Sequence, residues 1–66
     1  MNYTQLEIET HLDGKLVIAF LNQPDSFNSL NKTMLSELKN FVHECNAMAE
    51  VRCIGLSGRG KAFCSG

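Results

Sequence analysis

The stretch LEIETHLDGKLVIAFL, residues 6–21, decides the fold. Its first part alternates: Leu6, Ile8 and Thr10 are separated by Glu7 and Glu9, the period of a strand that buries one face. Asp13-Gly14 follows, and between two such runs this pair is the strongest short-range signal for a hairpin, because both central positions of a type I′ turn need positive φ. The second run, Lys15 to Leu21, stops alternating after its first residue, and everything from Leu16 to Leu21 is apolar. Strands of that composition are buried on both faces, inside a parallel sheet. The hairpin therefore predicts an α/β protein with a parallel partner still to come.

Working outward, NQPDSFNSLN carries Pro24 and a cluster of Asn, Asp and Ser that reads as a loop. Asn28, Ser29 and Asn31 then offer N-cap oxygens for a helix. Met34, Leu35, Leu38, Phe41, Val42, Cys45, Met48 and Ala49 recur at three- and four-residue intervals, an apolar stripe about 16 to 18 residues long. Glu37, Lys39, Asn40 and Glu44 fall on its solvated side. Val51 to Gly58, VRCIGLSG, reads as a third strand ending in a glycine turn. A strand, helix, strand succession is a right-handed crossover, which makes the second and third strands parallel. A parallel sheet needs cover on both faces, and this sequence supplies one helix. The expectation is that the 66 residues are the front piece of a larger α/β protein.

Composition narrows the function. At 44% hydrophobic and 20% charged, with one proline, the chain is globular in character. Seven acids against six bases are scattered along it for a net charge of -1, which leaves no footprint for nucleic acid or an anionic membrane surface. The start MNYTQLEIE lacks a basic segment followed by an apolar one, and no run reaches membrane-spanning length. Cys45, Cys53 and Cys64 are odd in number and without Cys-x-x-Cys spacing, so they read as reduced thiols rather than as a zinc site or disulfide framework. A cytoplasmic protein without a metal is expected.

Two motifs compete for the C-terminal glycines. GLSGRGKA, Gly55 to Ala62, meets the Walker A spacing except at its last position, where Ala62 has no hydroxyl for magnesium. Gly55 also falls inside the predicted strand, so the glycines are better read as permitting a sharp turn and close approach of a ligand. His11 on the hairpin, His43 on the polar side of the helix and Cys64 beside Phe63 read as ordinary surface or packing residues. Ligands in open α/β sheets sit beyond the carboxyl ends of the parallel strands, and both NQPDSFNSL and GRGKAFCSG leave from such ends. These two loops should be neighbours and should jointly line a site.

VIAFLNQPDSFNSLN, MLSELKNF and VRCIGLSGRGKAFCSG, taken in order, resemble the start of the crotonase superfamily, the enoyl-CoA hydratases and isomerases. The resemblance runs from about Leu16 to Gly66. It implies a crotonase-like (ClpP/crotonase) fold, truncated here to the N-terminal β-hairpin and right-handed βαβ unit. Ala62, Cys64, Ser65 and Gly66 match the family's loop that binds coenzyme A largely through backbone groups. Ser26 matches a small position near the adenine, and Asn28, Ser29 and Leu30 match the family's Asn-Ala-Leu with Ser for Ala. Gln23 stands where several members use Arg toward the coenzyme A phosphates, which removes the charge from that contact. By resemblance the partner is an acyl-CoA thioester, with coenzyme A part of the substrate rather than a bound cofactor, and the full-length enzyme is a homo-oligomer, a trimer or hexamer. The resemblance puts no catalytic residue within this chain: the oxyanion-hole donors and the acids come from later segments. A contrasting reading is a complete small interaction module whose open sheet face is covered by a partner chain.

Overall fold

A computed structural model of the chain describes residues 2–60, 63 and 64. Strand β1 (Leu6–His11) and strand β2 (Leu16–Leu21) are antiparallel, a short 3-10 turn (Pro24–Ser26) leads into helix α1 (Lys32–Ala47), and strand β3 (Cys53–Gly58) closes the set. The sheet order is β1-β2-β3, with β2 and β3 parallel, so the apolar strand is the central one, as its composition predicts.

The hairpin turns at Asp13-Gly14 with both residues at positive φ, 57° and 86°, and the Lys15 N–H donates to the Leu12 carbonyl at 3.2 Å. Leu12 also has positive φ, 55°, so pairing ends at His11 and Leu16. Of the three candidate caps it is Asn31 that serves α1, its side chain accepting the Met34 N–H at 2.7 Å. The helix stops at Ala47, two residues short of the stripe's end, because Met48 takes an extended ψ of 108°. The N–H of Val51 is used in the exit turn, donating to the Met48 carbonyl, and Arg52 and Cys53 both donate to the Lys15 carbonyl. Strand β3 accordingly begins at Cys53 rather than at Val51.

Leu6, Val17, Ala19, Leu21, Met34, Phe41 and Cys45 form one core between α1 and one face of β1 and β2. The odd-numbered residues of β2 make the buried side, and burial of large side chains such as Phe41 and Met34 is worth about 1.5–3 kcal/mol each. Two consequences follow from where the helix lies. At the β3 edge Ile54 and Leu56 stay 39% and 51% exposed, and on α1 Leu35 and Val42 are exposed as well. On the other face the expected bareness of β2 is partial, since Leu16, Ile18 and Phe20 are half-buried and Arg59 lies over the Phe20 ring at 3.7 Å.

The solvated side of the helix needs correcting. Glu37 accepts the N–H groups of Thr4, Gln5 and Leu6 and the Thr4 hydroxyl, and Glu44 accepts the Tyr3 hydroxyl. The segment before β1 runs beside α1 and brings unpaired backbone donors to these carboxylates. Periodicity within the helix could not show that, because the partners lie more than thirty residues away in sequence.

Candidate functional site

Strands β2 and β3 are parallel and in register from Leu16↔Cys53 to Leu21↔Gly58, so their carboxyl ends lie side by side. One further ladder bond, from the Arg59 N–H to the Leu21 carbonyl at 2.9 Å, carries the pairing past Gly58. The two loops that leave from these ends are thus neighbours, as expected.

The first loop closes on itself through Gln23 and Asn28. The Asn28 N–H donates to the Gln23 carbonyl at 2.8 Å, and the Gln23 N–H donates to Asn28 Oδ1 at 2.7 Å. Pro24 opens the 3-10 turn inside this ring, where its fixed φ and missing N–H cost nothing. Phe27 and Asn28 then follow at φ 52° and 57°. Asn tolerates this left-handed conformation, whereas Phe27 adopts it at a cost while it stays 52% exposed and its N–H donates to the Pro24 carbonyl at 3.1 Å. Asn28 is fully buried, and its Nδ2 donates to the Arg59 carbonyl at 2.8 Å, which joins the two loops.

Gly60 answers from the second loop. Its φ is 84°, and a Cβ placed on it would stand 2.8 Å from the Pro24 Cβ, so both conformation and space call for glycine. Between the loops lies a cleft of about 430 Å³ lined by Pro24, Asp25, Phe27 and Gly60. A smaller hollow of about 330 Å³, lined in part by Met48, Val51 and Cys53, sits at the opposite end of β3. That is the wrong end for a ligand site in an open α/β sheet.

Arg59 stands beside the cleft by its backbone and away from it by its side chain. Its Nε donates to Glu7 Oε1 at 2.7 Å and a terminal nitrogen donates to Glu9 Oε2 at 2.8 Å. The Arg59 hydrogen bond, followed by that of His11, holds the Glu9 carboxyl below the ordinary carboxylate range.

Of the residues the sequence singles out, Gln23 is half-buried with its backbone engaged by Asn28, and Ser26 is exposed at the loop with Oγ donating to the Gln23 carbonyl at 3.1 Å. Cys64 is half-buried and packs against the core cluster. Ala62, Ser65 and Gly66, and the Walker-like Lys61, lie outside the described residues. Cys45 is buried, Cys53 exposed, and all three thiols are free. Among the described residues no group of three His, Cys, Asp or Glu side chains could hold a metal, and no helix is long and apolar enough to cross a membrane. Sequence reading missed the buried tether at Asn28, whose signal was a polar residue of αL-tolerant type set between Phe27 and Leu30. It also missed Arg59, hidden among glycines.

Comparison with known proteins bears on these loops. A family model described as enoyl-CoA hydratase/isomerase matches residues 16–66. The chain is 38% identical over 66 residues to a Rhodobacter capsulatus protein named "Probable enoyl-CoA hydratase", covering 100% of this chain and 24% of that one. It is 30% identical over 59 residues to the 1,2-epoxyphenylacetyl-CoA isomerase of Escherichia coli, covering 89% of this chain and 22% of that one. The crystal structure of an enoyl-CoA hydratase/isomerase from Mycobacterium paratuberculosis superposes with a TM-score of 0.90 at 32% identity, over 98% of this chain and 25% of the other. The chain thus spans about a quarter of the length of these relatives.

Proposed function

The chain belongs to the enoyl-CoA hydratase/isomerase family, and from that premise we propose that it forms the N-terminal part of an enzyme that processes an acyl-CoA thioester, contributing one wall of the coenzyme A site. The observation that carries the reading is the cleft between the two loops at the carboxyl ends of β2 and β3, lined in part by Gly60, with Asn28 bridging the loops beside it. A glycine there lets the backbone itself approach a ligand closely, because no Cβ stands between them.

In this reading Gln23 and Ser26 on the first loop, and Ala62, Cys64, Ser65 and Gly66 on the second, hold the coenzyme A portion. Backbone N–H donors supplied farther along the fold take up the negative charge that develops on the thioester oxygen, and loss of one such donor costs about 2.7–4 kcal/mol of transition-state stabilisation. Carboxylates from later segments move the protons. No side chain of these 66 residues is assigned a catalytic role. The reaction class is water addition to, or double-bond migration in, an enoyl-CoA, by a cytoplasmic trimer or hexamer.

The test uses the natural polypeptide that carries these residues. Incubated with 2-enoyl-CoA and 3-enoyl-CoA thioesters, it should hydrate the first or interconvert the two, and its sedimentation should give three or six subunits. Absence of both reactions together with absence of coenzyme A binding by calorimetry overturns the reading. A folded complex with an unrelated protein and no coenzyme A affinity would favour the interaction module instead.

A further inference from the structure

Arg59 connects all three strands, including β1 and β3, which are not neighbours in the sheet. Its backbone follows β3, its guanidinium lies over Phe20 of β2, and its N–H groups reach Glu7 and Glu9 of β1. Strand β2 separates β1 from β3, so the side chain crosses a whole strand on the open face. Glu7 and Glu9 are two residues apart and therefore on one face, opposite Phe20 and Ile18 in the antiparallel register. Exposed ion pairs usually contribute little, because both side chains lose freedom to hold one geometry. This one differs in kind: the carboxylates come from a strand locked into the sheet, and a planar guanidinium held by both of them and by a ring face has little freedom left.

At the other end of the same residue, the Arg59 carbonyl accepts from Asn28 Nδ2 and the Arg59 N–H donates to Leu21. The neighbouring Gly60 faces Pro24 so closely that an added Cβ would stand 2.8 Å from the Pro24 Cβ. We infer that Arg59 is a positioning residue: Glu7, Glu9 and Phe20 fix its side chain, and its carbonyl, through Asn28, sets the separation of the two loops that bound the cleft. The inference rests on the proposed function only in what the cleft is said to bind. Without the anchor the second loop has one less restraint, and the arrangement that accepts a ligand is populated a smaller part of the time, which lowers apparent affinity by that fraction.

The experiment compares Arg59→Met, which keeps length and apolar contact with Phe20 but loses charge and donors, with the pair Glu7→Gln and Glu9→Gln, which touches no part of the cleft. Both are made in the natural polypeptide, alone and combined. Exchange of the Asn28 side-chain amide, followed by selective isotope labelling of asparagine, should quicken at least tenfold in each. The KM for the enoyl-CoA should rise five- to tenfold with kcat within twofold, and the combined variant should be no worse than either alone, the mark of a shared restraint. A lower melting midpoint with unchanged amide exchange and unchanged KM overturns the inference, since that is what a merely stabilising surface pair would give. Amide exchange that responds as stated in a protein without coenzyme A affinity sinks the proposed function and leaves the positioning role standing.

Discussion

At the scale of single residues, conformation rather than contact decides two positions. Leu12 is 71% exposed and sits at φ 55°, where an L-residue without a local hydrogen-bonding side chain costs about 1–2 kcal/mol. Asn accepts that region more readily and gives up little packing, so Leu12→Asn is expected to raise stability by about 0.5–1 kcal/mol, read from the denaturant midpoint at constant slope. Gly60 is the converse. An added methyl meets Pro24 at 2.8 Å while the backbone stays at φ 84°, so Gly60→Ala is expected to cost about 1–3 kcal/mol and to displace the two loops from each other. Loss of the Asn28 amide's protection in that variant, with the rest of the sheet unchanged, would locate the displacement. No change in midpoint would show that the Pro24 contact gives way freely.

Among the elements, the helix is tied to the segment before β1 by one carboxylate. Burial of Glu37 works against its ionisation, but the hydrogen bonds from Thr4, Gln5 and Leu6 outweigh that and hold its carboxyl below the ordinary range. The folded value lies under the unfolded one, so the contribution is fully present above the unfolded carboxylate value and is lost as pH falls through the folded value. Stability of the parent should therefore drop on the acid side more steeply than that of Glu37→Gln, which should itself be about 1–2 kcal/mol less stable at neutral pH from the loss of charge-assisted bonds. Parallel curves of denaturant midpoint against pH would remove the role. Tyr3 belongs to the same tie: burial, and then the Glu44 carboxylate, push its phenol up, so it stays a donor to Glu44 throughout the ordinary pH range.

For the molecule as a whole, the sheet and helix leave apolar surface that they do not cover. Ile54 and Leu56 at the β3 edge, with Leu35 and Val42 on α1, stay exposed. Surface of that kind drives association when it is contiguous. The 66-residue chain on its own is expected to self-associate in sedimentation and to bind a hydrophobic dye, and Ile54→Lys with Leu56→Lys should reduce both without altering the far-ultraviolet spectrum. A monodisperse parent chain that ignores the dye would mean these side chains find cover within the chain itself.

The elements and their pairing were legible in the sequence because each rests on local chemistry. Asp13-Gly14 could only turn, the run Leu16 to Leu21 could only be central, and Met34, Leu38, Phe41 and Cys45 of the helical stripe could only face a core, although Leu35 and Val42 of the same stripe stay exposed. The parallel pairing of β2 and β3, and the meeting of their loops, followed from the direction that a helical crossover imposes. The meeting of the two loops that bound the candidate cleft was thus readable, while the groups that join and shape them were not. Asn28 looks like a helix cap until its amide is seen against the Arg59 carbonyl, and Glu7 and Glu9 look like the wet side of a strand until Arg59 crosses β2 to meet them. Glu37 looks solvated until the chain's beginning is laid beside it. Periodicity reports the face on which a side chain lies, since that depends on its near neighbours in sequence. Which distant donor or acceptor meets it there is decided only when the packed elements bring the two together.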